Sequence, residues 1–389
     1  MKILMYSNKF GGPTTTFIQN DLVNLSVKHE MLYLSTEIDP NATFSYPDKV
    51  IIPFKRGPIR TKILWILERR GLFLNYRNKA FSVQVNKVIS TFQPQLILCN
   101  FGIEALVLIH NLNERNSRIP VVINFLGYDA SFHLNRPSYV SNLLALAQKD
   151  NVYATSNTNF LKKNLEVKGV YFKENRVIHT GVNVAFFDRQ DHQPESKNYI
   201  FLQIALLSAR KGQEVTIRAF KQMLGLVPDP ERFKLILAGG EEPGIGEVIR
   251  KLPAQLGIDK QVEFTSWITP IKARELMLDA NCFVHHSRTI EGRTEGVPTA
   301  VSEAMAMELP VISTWHAGIS ELVEEGENGF LIEENDIETY SKRMVEIQAF
   351  PLLKVNRDKV VENFNILKRT EALEDYFEDI LKLNLKQEF

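Results

Sequence analysis

Short, unbroken apolar runs recur along the chain and alternate with stretches whose apolar residues fall three or four positions apart. Lys2–Tyr6, Pro94–Cys99 (PQLILC), Pro120–Phe125 (PVVINF), Tyr199–Leu207 (YIFLQIALL), Phe233–Ala238 (FKLILA), Val262–Phe264, Asn281–His286 (NCFVHH) and Pro310–Thr314 (PVIST) are such runs. A strand apolar at successive positions is covered on both faces, the pattern of a parallel sheet between helical layers. Phe17, Ile18, Leu22 and Leu25, and later Val215, Ile217, Ala219 and Phe220, are spaced for the buried face of helices. The alternation predicts an α/β protein built on doubly wound parallel sheets. A polar run, Arg189–Asn198 (RQDHQPESKN), reads as a linker between a first domain over 1–188 and a second from 189.

In a parallel sheet the chemistry gathers beyond the carboxyl ends of the strands, so the loops there matter most. They hold Gly11-Gly12, Asn100–Gly102, Leu126–Ser131 with Asp129, Arg210-Lys211-Gly212, Gly239-Gly240 and Trp267-Ile268. The most informative loop is Thr289–Pro310 (TIEGRTEGVPTAVSEAMAMELP), which turns from a polar, glycine-punctuated segment into a helix at Pro298. Proline at a first helical position forfeits no hydrogen bond, and the open N–H groups of Thr299 and Ala300 then make an anion site. Glu295 and Glu303 bracket that site, and carboxylates accept hydrogen bonds from paired sugar hydroxyls. A diphosphate between two sugars, as in a nucleotide-diphosphate sugar, fits the arrangement.

The residues EGVPTAVSEAMA followed by LPVISTWHAGISELV closely resemble the donor-site signature of retaining glycosyltransferases of family 4, the E-x7-E group of glycosyl transferases group 1. The resemblance implies a GT-B fold, two Rossmann-like domains facing a central cleft, with the acceptor on residues 1–188 and the donor on 189–365. Residues 366–389 are then a helix crossing back to the first domain. It implies that Glu295 contacts the transferred sugar and Glu303 the ribose, with Gly296, Val297, Pro298, Thr299 and Ala300 around the diphosphate. Lys211, with Arg210, would bind and neutralise the leaving diphosphate. Gly12 is implied on the donor side, Trp267 and Ile268 at the base, and Asn100 and Asp129 on the acceptor side. The chain departs from the family at Asn100 and Leu126, where histidines are usual, and at Leu206, where an arginine is usual.

Composition narrows the partners. Apolar content of 44% and charged content of 24% are those of a folded globular chain, and a formal net charge of zero gives no sign of nucleic-acid binding. Cys99 and Cys282, each beside a strand, read as core thiols, and His285-His286 lacks metal-ligand spacing. The expectation is no metal and no cofactor, the donor being UDP- or GDP-linked. Local charge is less even: residues 54–80 carry eight Lys or Arg and one acid, Glu68, among apolar residues that include Trp65. Three readings stand: an anionic membrane surface, a lipid-linked acceptor, or a solvated basic face. With no membrane span or signal peptide legible, the expected place is the cytoplasm, at or near the inner membrane face. A nucleotide-sugar epimerase of the same fold and a non-catalytic nucleotide-sugar-binding scaffold are the alternatives to a transferase.

Overall fold

The computed structural model describes residues 1–12, 15–42, 44–53, 77–294 and 296–385. Most of the basic stretch, 54–76, and Glu295 lie outside the described residues. The first unit runs β1 (Lys2–Phe10), α1 (Thr16–Leu25), β2 (Glu30–Ile38), β3 (Lys49–Ile51), α2 (Lys79–Phe92), β4 (Leu96–Asn100), α3 (Gly102–Ile109), β5 (Val121–Phe125), α4 (Pro137–Ala147), β6 (Val152–Ser156), α5 (Asn159–Val167) and β7 (Asn175–Val177). Its strands form one parallel sheet in the order β3-β2-β1-β4-β5-β6-β7. Successive side chains alternate between two cores: Leu4, Tyr6, Ile97 and Cys99 enter one, Ile3, Met5, Leu96 and Leu98 the other. That is why these runs are mostly apolar, the buried polar positions such as Asn100 and Asn124 being bonded to each other.

The second unit continues with β8 (Tyr199–Ile204), α6 (Gln213–Leu224), β9 (Phe233–Ala238), α7 (Ile245–Gln255), β10 (Val262–Phe264), α8 (Pro270–Asp279), β11 (Cys282–His285), α9 (Thr299–Ala306), β12 (Val311–Thr314), β13 (Gly329–Ile332), α10 (Ile337–Glu346) and α11 (Lys354–Asn363). The strand order is β10-β9-β8-β11-β12-β13, again parallel. Phe201, Leu235 and Val284 face one core and Leu202, Phe283 and Val311 the other. Cys99 and Cys282 are buried free thiols in different units.

The chain divides at Thr180–Gly181, ahead of the expected boundary at 188. Residues 181–188 are pinned to the second unit by Arg357, which donates to Val184 O (3.1 Å), Phe187 O (2.8 Å) and the Asp188 carboxylate (2.9 Å). The segment from Arg189 does not begin as a free linker either. Arg189 is 1% exposed and donates to Met307 O (2.8 Å) and Leu278 O (2.9 Å), and burial holds its pKa down to about 10. The closing helix α12 (Ile366–Leu385) belongs to the first unit, where Leu373, Tyr376, Phe377 and Ile380 join the core around Leu22 and Tyr153. No helix among the described residues is long and apolar enough to cross a membrane.

Candidate active site

The order of the second sheet reverses between β8 and β11, the topological switch point beyond which doubly wound sheets gather their functional groups. Past β8 the chain keeps pairing with the β9 exit: Leu207 N donates to Gly240 O at 2.7 Å and Glu242 N to Leu207 O at 3.0 Å. Gln213 then folds the loop back, its amide donating to Leu206 O at 3.0 Å and accepting from Ser208 N at 3.2 Å. A helical turn, Ala209–Lys211, carries Arg210 and Lys211, and buried Gln203 of β8 fixes it by donating to Lys211 O at 2.7 Å. Gly212 follows with φ +60°, and a Cβ there would meet His286 O at 2.3 Å. Only glycine lets the cationic turn press this closely on the β11 exit.

The β11 exit is tied down in return. Arg288 N donates to Arg210 O at 2.9 Å and Arg288 Nε to Ala209 O at 2.5 Å. His286 stacks on Tyr340 with centroids 5.4 Å apart, and its Nε2 accepts from Asn335 N at 3.0 Å, a bond that requires an unprotonated nitrogen. Burial, with Arg288 beside it, holds the His286 pKa down to about 4. His285 bonds Ser287 Oγ at 3.0 Å, so both histidines have structural partners. Thr289 gives its N–H (2.8 Å) and hydroxyl (3.0 Å) to Glu334, which also bonds His316 Nδ1 at 2.8 Å. Burial works to raise the Glu334 pKa, but the bonds from His316 and Thr289 outweigh it and hold the carboxyl below its ordinary range.

The loop from Thr289 is held at its far end too, where Gly318 N donates to Gly296 O at 3.3 Å. Val297 leads to Pro298, which is extended (φ −63°, ψ 122°) and stands as the N-cap; the helix begins one residue later than the sequence pattern suggests, at Thr299. Val301 N bonds Pro298 O at 3.0 Å, whereas the N–H groups of Thr299 and Ala300 have no acceptor among the described residues. Those open amides are the positive end of the α9 dipole. Glu303 follows within the helix, half-buried and without a side-chain hydrogen bond among the described residues. Burial with no cation to offset it pushes its carboxyl up to about 7. At the neighbouring exit Trp267 is 59% exposed, and its ring lies so close to Gly240 that a Cβ there would come within 2.1 Å of it. Ile268 beside it is half-buried.

The remaining expected residues belong to the first unit. Gly12 O accepts from Thr15 N (3.1 Å), Thr15 Oγ1 (2.9 Å) and Gln19 Nε2 (2.9 Å), so this glycine opens α1. Asn100 is fully buried and accepts from Asn124 Nδ2 at 3.1 Å, while Asn124 accepts in turn from Thr155 Oγ1 at 2.9 Å. Asp129 is also fully buried and accepts from Gly102 N (2.9 Å), Leu126 N (3.2 Å) and Gly127 N (2.9 Å). Burial pushes its pKa up to about 6 against those bonds. The second unit thus gathers Arg210, Lys211, Gly296, Val297, Pro298, Thr299, Ala300 and Glu303 at one switch point, with Trp267 and Ile268 at the next exit. Gln203, Gln213, Arg288 and Glu334 escape sequence reading, although a lone glutamine inside YIFLQIALL is a signal for Gln203.

Residues 185–361, which include this switch point, match the family model described as Glycosyl transferases group 1. The match lies within the second unit and identifies that unit as a group 1 glycosyl transferase domain. A putative colanic acid biosynthesis glycosyltransferase WcaL of Salmonella typhimurium is 30% identical over 196 residues, 49% of this chain and 47% of that protein, so the chain spans about half the length of that curated relative. Two solved structures share the fold across nearly the whole chain. A glycosyltransferase from Rickettsia africae superposes with a TM-score of 0.75 at 16% identity, covering 98% of each chain. Anabaena HepE in complex with UDP superposes with a TM-score of 0.72 at 16% identity, covering 97% of this chain and 100% of that one. The fold of the chain is GT-B, with two doubly wound parallel-sheet units.

Glu303 gives the protein a pH signature. A carboxyl whose folded-state pKa is raised stabilises the fold below its unfolded value near 4.5, and that contribution is lost as pH rises through about 7. On the expectation that ribose hydroxyls donate to Glu303 and favour its ionised form, nucleotide binding has the opposite trend. Affinity for UDP or GDP is expected to rise about tenfold between pH 6 and pH 8, since one pH unit below the pKa leaves only about a tenth of the carboxyl ionised. In Glu303→Gln the titration is expected to flatten. Calorimetric titrations across that range check both expectations.

Proposed function

We propose that this chain is a retaining, metal-independent hexosyltransferase that moves a hexose from a nucleotide-diphosphate sugar, UDP- or GDP-linked, to a glycan or lipid-linked acceptor in surface polysaccharide or glycolipid synthesis. The observation that carries this reading is the set of groups at the β8–β11 switch point. There a cationic turn stands at the β8 exit, and beyond the β11 exit come two helix-end amides without acceptors among the described residues and a carboxyl raised by burial. Lys211 and Arg210 with the amides of Thr299 and Ala300 take up the charge that develops as the diphosphate leaves. Glu303 accepts from ribose hydroxyls, and Glu295 orients and stabilises the donor sugar without forming a bond to it. Trp267 and Ile268 border the base. The departing phosphate oxygen takes the acceptor hydroxyl's proton, and the fixed cations serve in place of a divalent metal. The first unit receives the acceptor, and the protein works at the cytoplasmic side of the membrane.

Thermal unfolding with UDP- and GDP-sugars in the presence of EDTA tests donor binding, because a ligand selective for the folded state raises the apparent transition temperature. Proton NMR of slow donor hydrolysis then reports stereochemistry. The expected first-formed sugar keeps the donor's anomeric configuration. A first-formed inverted anomer, or a strict need for a metal ion, defeats the proposal.

A further inference from the structure

The first sheet has its own switch point, between β1 and β4, and its rim holds a carboxyl that the donor chemistry leaves unused. Glu104, in the first turn of α3, is 6% exposed and reaches over to the β1 exit, where its Oε2 accepts from Asn8 N at 2.7 Å. Its Oε1 has no partner among the described residues. Burial pushes the Glu104 pKa well above the ordinary carboxyl range, overcoming the Asn8 bond, and the charge of Asp129 adds to the rise. Burial thus favours the neutral form, which has a hydroxyl to donate.

Beside it stands an aromatic surface. Tyr128, on the turn after β5, is 38% exposed and stacks on Phe101 with centroids 4.9 Å apart and an interplanar angle of 23°. His133 meets it edge-on at 5.3 Å, so the ring is braced from two directions. Phe101, on which Tyr128 stacks, is the N-cap of α3, whose first turn holds Glu104, and Asp129 next to Tyr128 accepts from Gly102 N, so ring and acid share one rim. Asn100 and Asp129 themselves are enclosed, Asn100 Oδ1 accepting from Asn124 and the Asp129 carboxylate from loop amides. A fixed ring suits the C–H face of a pyranose, and a neighbouring acid suits its hydroxyls.

We propose that Tyr128 and Glu104 form a pyranose-binding subsite at the β1–β4 switch point of the first unit, with the sugar ring against Tyr128 and a sugar hydroxyl on Glu104. The assignment rests on the glycosyltransferase reading above and names where the first unit grips its saccharide acceptor.

Saturation-transfer NMR on the full chain with saturating UDP tests it, with p-nitrophenyl α- and β-glycosides of glucose, galactose, mannose and N-acetylglucosamine as probes. At least one glycoside is expected to receive saturation on its ring C–H protons. Tyr128→Ala and Glu104→Ala are expected to weaken that glycoside about tenfold, the scale of one lost ring contact or one lost buried hydrogen bond. Tyr128→Phe keeps the ring, and Glu104→Gln keeps both an acceptor for Asn8 N–H and a donor for the sugar, so both are expected to stay within about threefold of the parent. These conservative variants also show that any loss is not a failure to fold. Saturation of no glycoside, or equal binding by Tyr128→Ala and the parent, overturns the subsite. Nucleotide binding is read from UDP protons in the same samples, so failure of the donor reading is seen separately.

Discussion

Lys211→Ala is expected to lower transfer about 10²- to 10³-fold, the scale on which loss of one preorganised group facing developing charge is felt. The turn that carries Lys211 is fixed through its backbone: Gln203 holds Lys211 O, Lys211 N bonds Ser208 O at 3.1 Å, and Gly212 lies against His286. None of these bonds uses the lysine side chain, so truncation leaves the turn in place. The loss should fall on kcat more than on KM, because the charge on the leaving phosphate grows only as the glycosidic bond breaks. Glu295→Ala is expected to behave likewise through the donor sugar. Wild-type turnover in both variants, measured by release of nucleoside diphosphate, defeats the assignment of the switch point as the catalytic site.

Arg369→Ala is expected to destabilise the first unit by about 3–5 kcal/mol, the range for removing one partner of a buried ion pair. Arg369 in α12 and Asp21 in α1 are each about 1% exposed in their side chains, and the pair is bidentate, with Nε to Oδ1 at 2.7 Å and Nη2 to Oδ2 at 2.8 Å. The remaining nitrogen donates to Ile178 O at 2.7 Å and His179 O at 3.0 Å. Without the guanidinium, Asp21 is a buried charge with no counterion, and two carbonyls lose their donor. Replacing both partners by apolar residues removes the stranded charge, so Asp21→Leu with Arg369→Met is expected to recover most of the loss. Hydrogen exchange localises the effect: amides of α1 and α12 should lose protection in Arg369→Ala while those of α6 and β8 keep theirs. Unchanged exchange in α12 counts against the pair as the clamp that holds the closing helix.

The long apolar runs made the sheets legible because each alternate residue enters a different core, and no other arrangement buries PQLILC or YIFLQIALL on every side. Short edge strands were harder to read. Lys49–Ile51 and Asn175–Val177 are half-buried, too short to show a period, and held in register by their neighbours. The domain boundary was misplaced for a related reason. Arg189–Asn198 has a linker's composition, but Arg189 and Arg357 lock the adjoining backbone with carbonyl bonds whose partners lie far along the chain.

The candidate site divides in the same manner. EGVPTAVSEAMA states its chemistry locally, since a helix start, its dipole and the carboxylates around it are set by consecutive residues. Asn100 and Asp129 looked like rim residues because they follow strands, yet whether a side chain at a strand exit opens outward depends on which backbone groups lie within its reach. Glu104 was invisible because its partner, Asn8, is on another strand. By itself, then, the sequence determined the layered α/β architecture and the loop-to-helix transition before Thr299, both of which depend on neighbours in the chain. The tertiary structure alone decided where the units divide, which carboxyls are spent on backbone amides, and that Arg288 and Gly212 bring the β8 and β11 exits together. Those outcomes arise from hydrogen bonds and burial between residues remote in sequence, and no local pattern encodes such pairings.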